Sequence, residues 1–382
     1  MLPATPAHAQ TTYEVQAGQD FFSQGVPGFS VRFYPTWIKV HDGDTIRFDF
    51  PPGLGPSGAY PQEYVGENAT HIGDPLSLFD FDPDDGTDAL KFNLDFFFDE
   101  GVDCGAVDNP CVWGPNSELV FPAFNEDDPS VHVLIDAPAG TTLWAAGGFS
   151  PDANANMKVM VVGDAEAAST QDELNTRANA LRTKDYEDAL ALHNKMKAKR
   201  TWHTNANGKR VYDIFVGASG GPIEMFASYP RRIAIPKGSR VQFHFMSQID
   251  VHTATFGGPA ARDAFVNFLI PACDPDGDEG AGPDVDPTGF DPETEFPTCP
   301  EGTTLEADVH DLLPWAVGDG KVTSNRDYEN SGLIFPSFPD GGSFDVNPSP
   351  MTERFPQASN KKGFKFICLV HGGFMGGRVR VK

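Results

Sequence analysis

Nowhere in its 382 residues does the sequence carry an apolar run approaching the ~20 residues of a bilayer-spanning helix, which argues against a helical membrane span. Cations are scarce as well: 28 Lys and Arg stand against 54 Asp and Glu, a formal net charge of −26. A surface so one-sided repels polyphosphate and anionic lipid, so neither nucleic acid nor a membrane is expected as a partner. The same charge favours solubility and would steer a cationic partner. Long helical patterns are few, and 39 Gly and 33 Pro punctuate the chain instead, which predicts strands joined by many turns. With 40% hydrophobic residues and 31 Phe there is material for sizeable cores, and the length calls for two or three domains.

Cysteine is sparse, five in all. The opening stretch MLPATPAHAQ reads as the tail of a secretory signal: Ala7-His8-Ala9 has the small-x-small spacing that precedes cleavage, and Gln10 follows. Residues 1–11 are therefore expected to lie outside the folded part. The expected location is extracytoplasmic (periplasm, cell surface or medium), where disulfides persist.

An internal repeat organises the rest. Residues 34–50 read YPTWIKVHDGDTIRFDF and residues 229–245 read YPRRIAIPKGSRVQFHF. Each gives Tyr-Pro, an alternating apolar strand, a Gly turn and a second alternating strand ending in Phe-x-Phe. SELVFPAF at 117–124 matches SGLIFPSF at 331–338, and GGF at 147–149 matches GGF at 372–374. The blocks keep their order, which predicts two copies of one β domain, at 12–163 and 205–382. Between them, residues 164–204 are rich in Ala, Leu, Glu and Lys, with Leu174, Ala178 and Leu181 at helical spacing. This predicts a helical linker, capped at its start by Asp164 or Ser169 and carrying Lys195, Lys197, Lys199 and Arg200 toward its negative end.

Each copy also holds a long acidic, Gly- and Pro-rich insertion with two cysteines, Cys104 and Cys111 in the first and Cys273 and Cys299 in the second. Paired positions in paired loops predict one disulfide per copy. The carboxylates there (Asp80, Asp82, Asp84, Asp85 and Asp88; Asp274, Asp276, Asp278, Asp284 and Asp286) match calcium ligands in type. Neither cluster has the Gly at position six and Glu at twelve of an EF-hand, so a solvated acidic loop is the simpler expectation and calcium the lesser one.

Cys368 is then left over, and an odd cysteine in an exported chain calls for a chemical reason. It stands in FKFICLVHGGFMGGRVRVK, where Cys368, His371 and Met375 form C-x2-H-x3-M. A thiolate, an imidazole and a thioether in one short loop suit a soft metal, and two His and a Cys in a plane with a weak axial Met is the blue-copper arrangement. The second histidine is expected from DVHTATFGG, where His252 follows the Phe-x-Phe strand of the same repeat.

On these residues the segment 205–382 resembles a cupredoxin of the plastocyanin/azurin family. The spacing of three residues between His371 and Met375 and the insertion at 271–330 depart from the family pattern. The resemblance implies a mostly β chain of two Greek-key β-sandwiches, one type 1 copper per chain on His252, Cys368, His371 and Met375, and outer-sphere electron transfer. It also implies that His371 is the exposed ligand through which electrons leave. The apolar Leu369, Val370 and Phe374 beside it are expected either to form a small docking patch for a redox partner or to be buried against the first copy. Aligning GGF with GGF sets Leu143, Ala146 and Ser150 opposite Cys368, His371 and Met375. His71, in NATHIG, is the candidate counterpart of His252 and would then lack a thiolate partner, so the first copy is expected to bind no copper.

Two other readings stay open. A copper-dependent oxidoreductase needs a further copper class built from extra histidines. None of the ten histidines forms a His-x-His pair, and His41, His132, His193, His203, His244 and His310 are scattered, so such a site would have to be completed at an oligomer interface. A protein that binds or stores copper without passing electrons is the other.

Overall fold

The computed structural model describes residues 9–50, 57–60, 79–80, 91–92, 104–115, 119–121, 130–146, 156–257, 272–274, 289–290, 297–298, 304–306, 316–332, 334 and 350–382. Among them the chain is mostly β with one long helix, and it forms two compact units. The described residues of 9–60, 104–191 and 220–224 belong to one, and those of 79–92, 192–219 and 225–382 to the other.

In the first unit, β1 (Thr12–Asp20), β2 (Gly28–Tyr34), β4 (Thr45–Asp49), β6 (Cys111–Trp113) and β8 (Ser130–Ile135) form one sheet in the order β2-β1-β4-β8-β6. A second sheet joins β3 (Trp37–Val40), β5 (Ser57–Tyr60), β7 (Leu119–Phe121), β9 (Thr142–Ala146) and β10 (Met157–Val161) in the order β3-β10-β9-β5-β7. Strict alternation in β4 and β10 sends Ile46 and Phe48 from one sheet, and Met157 and Val159 from the other, into a shared core with Phe33, Val133 and Leu143. Burying each such side chain contributes about 1.5–3 kcal/mol. Cys104 and Cys111 are joined by a disulfide, and fully buried Cys111 ties that loop to the core.

The helix α1 (Gln171–Lys197) starts at neither residue expected to cap it. Thr170 does so: its hydroxyl accepts the Glu173 N–H at 3.3 Å, and the Glu173 carboxylate accepts the Thr170 N–H at 3.0 Å, a reciprocal capping box. Ser169 is occupied elsewhere, exchanging hydrogen bonds with the Lys39 backbone on β3. Leu174 and Ala178 are buried and Leu181 half-buried. The helix is fastened to its unit by fully buried Asp185, whose Oδ2 takes hydrogen bonds from Ser30, Arg32 and Tyr34, three alternate residues of β2.

In the second unit, β11 (Trp202–Thr204), β12 (Arg210–Gly220), β13 (Ile223–Tyr229), β15 (Arg240–Phe245) and β19 (Met351–Arg354) form a sheet ordered β19-β15-β12-β13, with β11 also on β12. The facing sheet runs β14-β21-β20-β16-β18-β17, from β14 (Arg232–Ile235), β16 (Thr255–Phe256), β17 (Ala316–Val317), β18 (Glu329–Ser331), β20 (Phe364–Cys368) and β21 (Gly372–Val381). Phe243 of one sheet packs on Phe256 and Phe366 of the other at ring distances of 5.8 and 5.1 Å, and Phe355 extends the cluster. On the opposite face of the first sheet, His203 and His244 both bond Asp213, each at 2.8 Å.

The repeated blocks adopt matching structures. Tyr34-Pro35 and Tyr229-Pro230 are both cis, β3 and β14 follow them, and Gly43 and Gly238 turn with φ of 84° and 83° into β4 and β15. β4 pairs parallel with β1, as β15 does with β12. Register also corrects the alignment on GGF. Ile38 pairs with Val159 and Val159 with Leu143, while Ile233 pairs with Val379 and Val379 with Phe364. Leu143 therefore stands opposite Phe364, not Cys368, because strand pairing rather than a short glycine string fixes the register. The position matching Cys368 falls beyond Ala146, outside the described residues, as do Ser150, His71, Cys299 and the expected acidic carboxylates other than Asp80 and Asp274; of these two and of Cys273 only the strands they lie on are described.

Candidate metal centre

Alternation along β20 turns Phe364, Phe366 and Cys368 inward and Lys365 outward, so the strand delivers a fully buried thiol at its last residue. A tight turn over residues 369–371 reverses the chain, and Cys368 pairs with Gly372 across it. That closure needs the two glycines after Met375: a Cβ on Gly376 would strike the Phe366 carbonyl, and one on Gly377 the Phe366 ring and the Arg231 carbonyl. Met375 is buried on β21, and its carbonyl accepts the Ser228 hydroxyl at 2.9 Å.

His252 comes from the loop after β15. It is fully buried, and its backbone exchanges hydrogen bonds of 3.1 and 3.0 Å with Ile334. The next residue connects the two halves of the site: the Thr253 N–H donates to Cys368 Sγ at 3.3 Å, and its hydroxyl accepts the Leu369 N–H at 2.7 Å. Behind it, Thr253 meets the Thr255 hydroxyl at 3.0 Å, and Thr255 donates to Asn330 Oδ1 at 2.8 Å.

Three of the four residues singled out by sequence thus converge. One ligand atom each from His252, Cys368 and His371 lies within 4.8 Å of the others. His371 Nδ1 stands 3.2 Å from His252 Nδ1 and 3.4 Å from Cys368 Sγ. Donors around one ion at bond lengths of about 2.0–2.3 Å are spaced roughly 3.2–3.8 Å apart, so both separations from His371 suit a single metal.

His371 differs from expectation, and Leu369 is fully buried rather than part of an exposed docking patch. His371 is shielded too. Its side chain is only 12% exposed, because its ring stacks on Phe226 at 4.3 Å and its Nε2 bonds Asp250 Oδ2 at 3.1 Å. Neither Phe226 nor Asp250 was identified from sequence. Phe226 lies on a strand 145 residues away, and the one local signal for Asp250 was its place two residues before His252.

The electrostatics suit a thiolate. Burial opposes ionisation of Cys368, but the His371 imidazolium and the hydrogen bonds from both histidines outweigh it and hold the thiol below its ordinary range. Burial likewise opposes charge on His371, and Asp250 and the thiolate raise it nonetheless. Asp250 is held low against its own burial by His371 first and then His252.

No family model matches the chain, and no curated relative does. Among solved structures it is similar to a blue copper oxidase from Nitrosomonas europaea, at 8% identity and a TM-score of 0.17 over 98% of this chain and 86% of that one. It is similar to a copper-containing nitrite reductase from Thermus scotoductus at 11% and 0.17, over 98% and 62%. It is also similar to Fet3p, a multicopper oxidase that functions in iron import, at 9% and 0.20, over 100% and 67%. At such TM-scores these likenesses carry no inference about this chain, whose reading rests on the site itself.

Proposed function

We propose that this chain is an exported blue copper protein that passes single electrons through one type 1 copper held by His252, Cys368 and His371, with Met375 as axial donor. The observation that carries the reading is the convergence of two imidazole Nδ1 atoms and the buried Cys368 sulfur. A thiolate with two imidazoles, in a loop whose sequence also offers the Met375 thioether, suits copper better than zinc, which favours four donors at tetrahedral angles.

Bound copper supplies a one-electron couple. The protein's residues supply rigidity: the Thr253 N–H holds the sulfur, the Thr253 hydroxyl holds the turn after it, and paired β20 and β21 hold Cys368 and Met375 on one frame. Burial of His252 and Cys368 keeps water from the donors, so little has to move when the charge changes. Both units are read as cupredoxin-like domains, the first without copper ligands, and the partner as a redox protein with a cationic or apolar docking face, in keeping with the net charge of −26. The Cys104–Cys111 disulfide supports an oxidising, extracytoplasmic location.

The shielding of His371 favours a second reading, in which copper is held rather than shuttled. Electron self-exchange separates the two: fast exchange fits a carrier, slow exchange a store.

The test is an absorption spectrum during copper titration of the wild type and of Cys368→Ser. An intense visible thiolate-to-copper band is expected, saturating at one equivalent and absent from the variant. A wild type that stays colourless, or colour that survives the substitution, refutes the copper reading.

A further inference from the structure

The carboxylate of Asp250, 26% exposed, is held at both oxygens, and the loop that carries it is pinned by serine hydroxyls. Its Oδ1 accepts the Val251 N–H at 2.7 Å, and its own N–H donates to Ser247 Oγ at 2.8 Å. Ser247 Oγ also accepts the Ile249 N–H at 3.2 Å, and Ser219 Oγ, 3.5 Å from it, accepts the Gln248 N–H at 2.6 Å. The remaining oxygen of Asp250, Oδ2, is directed at His371 Nε2, 3.1 Å away. His371 cannot turn away easily, since Phe226 covers its face.

We propose that Asp250 is a positioning residue of the copper centre: it keeps His371 with Nε2–H outward and Nδ1 toward the other donors, and its charge favours the oxidised ion. The proposal rests on the copper reading above. A carboxylate accepting the distal N–H of a ligating histidine fixes its tautomer and makes the ring a stronger donor. The charge count gives the direction of the second effect. Divalent copper, the Cys368 thiolate and the Asp250 carboxylate sum to zero, and one electron from a donor protein takes the centre to −1. Without the carboxylate the same electron takes it from +1 to zero. Net charge is costly inside a protein, so the carboxylate disfavours the reduced state. No proton need move, because the Nε2–H to Asp250 bond is present before and after.

The experiment uses the full copper-loaded chain and compares wild type, Asp250→Asn and Asp250→Ala by spectroelectrochemistry and by competition for copper(II). Asn keeps an acceptor oxygen for Val251 or His371 but loses the charge, so its reduction potential should rise while the visible band persists. Ala should rise further, and copper(II) affinity should fall by about 10–100-fold. Potentials and affinities equal to wild type in both variants would overturn the proposal. A wild type with no thiolate-to-copper band would instead remove the copper reading beneath it. Should the variants not fold, proton NMR of the reduced wild type decides. A downfield, slowly exchanging His371 Nε2–H is expected, and one that exchanges as freely as in solvent overturns the proposal.

Discussion

At the scale of single residues, the site is built as much by Thr253 as by the donors. Its hydroxyl is buried, takes the Leu369 N–H and meets Thr255, while its backbone N–H reaches the sulfur. Thr253→Val keeps the shape and the backbone bond but leaves the Leu369 N–H without its acceptor. It should cost about 1–3 kcal/mol in urea unfolding while the visible band of the copper-loaded protein stays in place. A band that shifts strongly with no loss of stability would mean that the hydroxyl acts on the copper rather than on the turn. The donors themselves were legible because thiol, imidazole and thioether crowd into eight residues, and because His252 follows a strand whose alternation is plain. Asp250 and Phe226 were not, since a charged loop residue and a strand phenylalanine have many more common explanations. Only the fold brings the Phe226 ring against His371.

At the scale of elements, alternation with period two made the strands readable, and it did so in both of the similar segments: Ile46 and Phe48 on β4, Val241 and Phe243 on β15. Register was not readable, because it depends on which strands pair. The glycine string at 147–149 pointed to Leu143 as the counterpart of Cys368, and the pairings of Val159 and Val379 assign it to Phe364 instead. The helix start was missed for a local reason. Ser169 has the better residue type for a cap, but β3 claims its side chain and leaves Thr170 and Glu173 to close the end. The helix is also less self-sufficient than its composition suggests. Its buried Asp185 collects Ser30, Tyr34 and the guanidinium of Arg32, and burial together with this carboxylate pushes the Tyr34 hydroxyl well above its ordinary range. Asp185→Ala takes a shared acceptor from buried Ser30 and Tyr34 and from half-buried Arg32, and should cost about 3–5 kcal/mol in urea unfolding. A loss below about 1 kcal/mol would show that Leu174 and Ala178 alone dock the helix.

At the scale of the whole molecule, a net charge of −26 makes self-repulsion a general source of instability as pH rises. One buried group adds a specific one. Glu353 on β19 is 3% exposed, its Oε2 has no hydrogen-bond partner among the described residues, and burial, then Glu329 and Asp319, push its pKa up to about 8. Glu329 is raised too, by burial first. An unfolded glutamate titrates near 4.5, so between that pH and about 8 the folded chain holds a proton that the unfolded chain has released. Folding stability attached to Glu353 is therefore complete below about 4.5 and is lost as pH rises through about 8, a change on the order of 5 kcal/mol. Glu353→Gln imitates the protonated form. It should be nearly neutral at pH 5 and should stabilise at pH 9, flattening the profile measured by urea unfolding. Salt distinguishes this from general repulsion, because exposed charges are screened within about 3 Å at 1 M while a buried carboxylate is screened much less. The difference between wild type and Glu353→Gln at pH 9 should thus survive in 1 M salt even as both proteins gain stability. A difference that vanishes there would assign the pH dependence to the surface and leave Glu353 ionised at little cost.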